Sequence, residues 1–141
     1  MKGDILKAKE FLKNYGYVKY HISRFTSDIE HYKSKIDEYK GHRDTDYYYL
    51  IKRGLTESEA QLKEAQRQKD LYEKLINRVE NPKYRKLLYY RYIKFYTWEE
   101  ITDILSEGRK NRYEEKNIEG YMKKQAYKAF QNILDTSTEK L

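Results

Sequence analysis

Lys124 and Lys128 stand one helical turn apart in the stretch "IEGYMKKQAYKAFQNIL", residues 118–134, and each carries an ammonium group able to neutralise a phosphate. Such pairing releases condensed counterions and supplies sequence-independent affinity for nucleic acid. At about 100° per residue the stretch divides into two faces. Met122, Ala126, Ala129, Phe130 and Ile133 form the apolar one. Asn117, Gly120, Tyr121, Lys124, Tyr127, Lys128 and Gln131 lie opposite, with Lys123 at the flank. Just upstream, "SEGRKNRYEEKN", residues 106–117, adds Arg109, Lys110 and Arg112, offset by Glu107, Glu114 and Glu115. Taken alone, this is the pattern of an ordinary amphipathic helix with a solvated cationic face.

Other chemistry finds little support. The three His, at 21, 31 and 42, have no His or Cys companion at ligand spacing and are expected at the surface. There is no Gly-rich phosphate loop, and the Asp and Glu residues suit helix caps and i, i+4 pairs better than a paired-carboxylate site. No enzyme activity, cofactor or metal is expected. The absence of Cys removes disulfides and thiolate ligands and suits a cytoplasmic protein. The start "MKGDILKAKEF" lacks the apolar run of a signal peptide, and nowhere do eighteen apolar residues run together, so secretion and membrane spanning are disfavoured. The net charge of +7 invites a nucleic-acid reading, although acids are interspersed throughout. Seventeen Tyr stand against one Trp; Tyr can stack on bases, but it can also line a helical seam with its hydroxyl at the wet edge, and several fall at seam positions.

The elements that must position these residues are helical, since the single Pro is Pro82 and Gly are few. Ala8, Phe11, Tyr15, Val18, Ile22, Phe25, Ile29, Tyr32, Ile36 and Tyr39 alternate by three and four without a break, which predicts one long helix with a heptad seam. Gly41 and Gly54 bracket a polar stretch with a short helix over residues 47–52. Thr56 followed by Glu59 then reads as a capping box opening a second long helix. Leu62, Ala65, Tyr72, Ile76 and Val79 continue a seam there, with Lys69 at a core-type position, and the two helices are expected to pair antiparallel. The first carries more seam than the second covers, so self-association as a homodimer is expected. Asn81-Pro82 opens a third helix over residues 83–95. Thr97 and Glu100 form another capping box, flanked by Tyr96 and Ile101 as a hydrophobic staple, and predict a helix from Trp98 to about Leu105. Trp98 at its first turn is expected to brace the preceding helix.

The segment "LLYYRYIKFYTWEEITDIL" resembles the paired helices of region 4 of bacterial sigma factors, and more closely the sigma-like helix-turn-helix of ArpU-type phage transcriptional regulators. Leu87, Leu88, Arg91, Tyr92, Ile93, Thr97, Trp98, Glu99, Glu100, Ile101, Ile104 and Leu105 carry the resemblance, which covers roughly residues 83–134. It implies a small DNA-binding regulator that switches on late phage genes, with residues 118–134 as recognition helix in the major groove. Asn117, Tyr121, Lys124, Lys128 and Gln131 would then face double-stranded DNA, with Lys123 reaching phosphate and Arg109, Lys110 and Arg112 as a contacting loop. One departure stands out: twelve polar residues separate Leu105 from Ile118, against the three or four of an ordinary helix-turn-helix.

The expectation is therefore an all-α chain. An antiparallel helical hairpin, or coiled coil, spans residues 1–81, and a sigma region-4-like helix-turn-helix unit of three helices spans 82–141. It is expected to be a cytoplasmic protein of a bacterial host cell, with no membrane contact. A second reading makes it a phage-encoded interaction module that captures a regulator, repressor or RNA polymerase subunit, with the helix-turn-helix as scaffold.

Overall fold

The computed structural model describes residues 2–137, and among them there is no strand: the chain is all-α. Helix α1 spans Lys2–Glu38, and a single 3-10 turn at Lys40–His42 separates it from α2, Asp46–Asn77. Helix α3 covers Pro82–Leu88 and runs into a π turn at Tyr89–Ile93, after which α4 spans Trp98–Ser106. Helix α5, Glu115–Asn117, passes through a second π turn, Ile118–Met122, into α6, Lys123–Thr136. Among the described residues no helix is long and apolar enough to cross a membrane.

The long seam of α1 is present as expected, with all ten of its residues buried or half-buried. Phe11, Ile22, Phe25, Tyr32, Ile36 and Tyr39 are the half-buried members. Leu12, outside that three-four pattern, is fully buried as well. The start of α2 differs from expectation. Thr45 donates its hydroxyl to the carbonyl of His42 at 2.8 Å and accepts the N–H of Tyr48 at 3.2 Å, which satisfies an orphan donor of the first turn. The helix therefore begins eight residues before Gly54 and runs through it. Thr56 caps nothing: its hydroxyl donates to the Lys52 carbonyl at 3.1 Å inside the helix. Gly54 is a packing residue, because a Cβ there would lie 2.6 Å from the Tyr32 ring.

The chain forms two compact units. One is Tyr17–Lys69, the other joins Met1–Gly16 to Asp70–Leu141. In the first unit Val18, Ile29, Tyr48, Ile51 and Ala65 are buried, and Tyr39 meets Tyr47 edge to face at 5.0 Å. His21, expected at the surface, is half-buried and stacks on Phe25 at 5.7 Å, because a histidine beside a seam turns its flat face inward more readily than a charged side chain does.

In the second unit Ala8, Leu12 and Tyr15 of α1 belong to the core of the C-terminal helices. Phe11 stacks on Tyr72 at 4.4 Å and lies 5.7 Å from Phe130, while Leu12 and Tyr15 are fully buried. Each such aliphatic or aromatic side chain removed from water contributes about 1.5–3 kcal/mol. Helix α3 starts as read from Asn81-Pro82, with the Asn81 side chain accepting from the Lys83 N–H at 2.9 Å. It packs on α6 and on α4, and α4 in turn packs on α5 and the second π turn.

Candidate nucleic-acid interface

The capping box that starts α4 is complete. Glu100 N–H donates to the Thr97 hydroxyl at 3.1 Å, and the Glu100 carboxylate accepts the Thr97 N–H at 3.1 Å. Ile101 behind it is fully buried, and the Tyr96 ring stacks on Tyr90 at 5.3 Å. The connection into this cap is tight. Lys94 N–H bonds the Tyr89 carbonyl across the first π turn at 3.1 Å, and Tyr96 N–H returns to the Tyr90 carbonyl at 2.9 Å. Between them Phe95 takes a left-handed φ of 58°, a conformation costly for a bulky residue. Arg91 spans the turn, donating to the Tyr96 carbonyl at 3.0 Å while its guanidinium lies 4.5 Å from the Trp98 ring centre. Trp98 is thus half-buried under a cation, and the Lys123 ammonium stands 5.3 Å from the same ring.

On α6 the expected cationic row is exposed in part. Tyr121, Lys124 and Lys128 face solvent, and the two Lys make no ion pair among the described residues. Asn117 is also exposed but lies on the far side of the second π turn, where the Lys123 N–H reaches back to the Ile118 carbonyl. That wider turn absorbs one extra residue, about 100° of rotation, so Asn117 no longer continues the same wheel. Two members of the expected row are corrected. Tyr127 is 4 % and Gln131 2 % exposed. The single-faced wheel fails because α6 is packed on two sides: Phe130 meets Phe11 of α1, while Tyr127 pairs its hydroxyl with that of Tyr92. Gln131 donates to Asp135 at 2.8 Å instead of reaching outward. Lys123 is half-buried beside Trp98 and is part of the packing around that ring.

The segment between α4 and α5 closes back on itself. Arg112 pairs with Asp103 of α4 at 2.9 Å, Tyr113 N–H donates to the Ser106 hydroxyl at 2.9 Å, and Gly108 supplies a left-handed φ of 77°. The Arg109 guanidinium lies over the Tyr113 ring at 3.6 Å. Lys110 is exposed. Two of the three basic residues expected to contact DNA thus already have protein partners.

A second cationic feature was not legible in the sequence. Lys9 and Lys13 of α1, Arg91 after α3 and Lys123 of α6 converge on a groove of about 510 Å³, with Glu119 as the one carboxylate in its lining. Its aromatic walls are Tyr92, Phe95, Trp98 and Tyr127. Burial, reinforced by the hydrogen bond to Tyr127, pushes the Tyr92 hydroxyl far above the usual phenol range, and burial pushes Tyr127 up as well. Both phenols are neutral at physiological pH, so Glu119 is the one negative charge among the lining residues. Lys9 and Lys13 lie some eighty residues before Arg91, and Arg91, Trp98 and Lys123 share no helical spacing, so nothing in one dimension groups them.

Residues 27–125 match the model of a family described as "Protein of unknown function (DUF1492)". No curated protein and no solved structure matches the chain.

Proposed function

The chain belongs to the DUF1492 family, and we propose that it is a phage-type DNA-binding transcription regulator, activating late genes, with α6 as its recognition helix. The observation that carries this reading is the exposed row of Tyr121, Lys124 and Lys128 on a helix otherwise packed on two sides. A helix held rigidly by its neighbours, with two free ammonium groups a turn apart, presents charge to phosphate at little entropic cost. The resemblance of residues 83–134 to ArpU-type regulators supports it. In this reading α4 and α6 are the helix pair of a helix-turn-helix, joined by an enlarged turn, and α1 and α2 are an antiparallel hairpin that carries regulatory contacts. Double-stranded DNA is the partner, and RNA polymerase is the machine acted upon.

One observation favours the alternative of a protein-interaction module. The segment over residues 106–117 is a built loop with two of its cations engaged, as suits a surface made for another protein. DNA binding measured against salt separates the two. The full chain is expected to bind duplex DNA, and the Lys124→Ala/Lys128→Ala variant should show a salt slope shallower by about 0.9 for each phosphate it no longer neutralises. Thermal stability should hardly change, since both side chains are exposed. A folded protein that binds no duplex at low salt removes the DNA reading and leaves the interaction module.

A further inference from the structure

The groove between α1, the turn before α4, and α6 combines charge and aromatic surface in a way that packing alone does not require. Four cations face it against one carboxylate, and they come from three separate stretches of chain. Lys13 is exposed and Lys9 half-buried, so neither ammonium is needed to fill the core. Phe95 is 52 % exposed at the rim and held at a φ of 58°, a strained placement for a large apolar ring that gains so little burial. Strain of this kind concentrates at ligand clamps. A volume of about 510 Å³ fits a small molecule better than a polymer.

From this we propose that the groove binds a nucleoside phosphate. The Lys9, Lys13 and Lys123 ammonium groups take the phosphates, and an aromatic ring at the rim, Phe95, stacks the base. Glu119, the lone acid among the cations, accepts hydrogen bonds from the ribose hydroxyls, a role carboxylates fill in other nucleotide sites. Arg91 is held by the Tyr96 carbonyl and the Trp98 ring and supplies fixed positive field. The site is distinct from the row of Tyr121, Lys124 and Lys128, none of which lines it.

Calorimetric titration of the full chain tests the proposal. ATP is expected to bind saturably, with adenosine and inorganic tripolyphosphate each at least about tenfold weaker, because each lacks half of the recognised chemistry. Lys9→Ala/Lys13→Ala should weaken ATP by about tenfold or more. Phe95→Ala should weaken ATP while leaving tripolyphosphate unchanged, and its folding is checked by circular dichroism. Lys124→Ala/Lys128→Ala should leave ATP binding intact. No saturable heat with ATP at millimolar concentration overturns the assignment. Tripolyphosphate binding as tightly as ATP overturns it too, since the groove would then be a plain anion site. So does an acidic peptide binding more tightly than ATP, or an unchanged ATP affinity in Lys9→Ala/Lys13→Ala.

Discussion

Gly16 and Gly54 lie in the interiors of α1 and α2, and both carry the entropic penalty that glycine brings to a helix. Their surroundings are opposite. A Cβ at Gly16 would meet nothing within 4 Å, whereas one at Gly54 would meet three atoms of Tyr32 at 2.6–2.9 Å. Gly16→Ala is therefore expected to stabilise the protein by about 1 kcal/mol, the helix-propensity difference. Gly54→Ala should gain nothing or lose stability in the native chain, and should show that gain only when introduced into the Tyr32→Ala variant and compared with Tyr32→Ala itself. Urea denaturation of the three single variants and the double variant checks this, and equal stabilisation at both glycines would show that Tyr32 does not pack as described.

Helix ends are governed by single polar side chains. Thr97 has both halves of its capping box, and Thr97→Ala should cost about 1 kcal/mol. For α2 the capping contact belongs to Thr45, although the sequence points to Thr56. Thr45→Ala is accordingly expected to destabilise by about 1 kcal/mol, while Thr56→Ala should be close to neutral because its hydroxyl merely bonds back to an already satisfied carbonyl. A larger loss at Thr56 than at Thr45 would put the helix start near residue 56 after all. The two π turns matter at this scale as well. One brings Arg91 round to Trp98, and the other takes Asn117 out of line with Lys124 and Lys128.

At the scale of the whole chain, four tyrosines whose hydroxyls are shifted upward by burial tie stability to alkaline pH. Burial raises the Tyr15 hydroxyl from 10.0 to about 12, with Glu73, Tyr89 and Asp70 adding to it. Burial raises Tyr72, Tyr92 and Tyr127 in the same direction. A phenol whose pKa is higher folded than unfolded holds its proton more tightly in the native state. Its contribution is complete below about pH 10 and disappears as the pH rises through the folded value. The denaturation midpoint should fall on going from about pH 9 to about pH 11.5, and the late-titrating fraction of tyrosine absorbance should appear together with unfolding. Tyr15→Phe should flatten the decline, because its hydroxyl is buried without a hydrogen-bond partner among the described residues. A midpoint that stays level over that range would contradict the burial of these rings.

Local chemistry made the all-α class legible. The three-four alternation from Ala8 to Tyr39, the Asn81-Pro82 start and the Thr97–Glu100 box each depend on residues within a turn or two of one another, and each is present in the structure. Lys124 and Lys128 were likewise readable as exposed. The sequence by itself therefore determined that the chain is helical and where α3 and α4 begin. Only the tertiary structure decided what the helices bury. A wheel drawn on one helix assumes one packed side, and α6 has two, so Tyr127 and Gln131 turn inward. Gly54 looks like a turn residue until Tyr32, twenty-two positions away, is placed against it. The groove assembles Lys9, Arg91 and Lys123 from three helical stretches, and no periodicity in one dimension records a contact that exists only when those stretches pack.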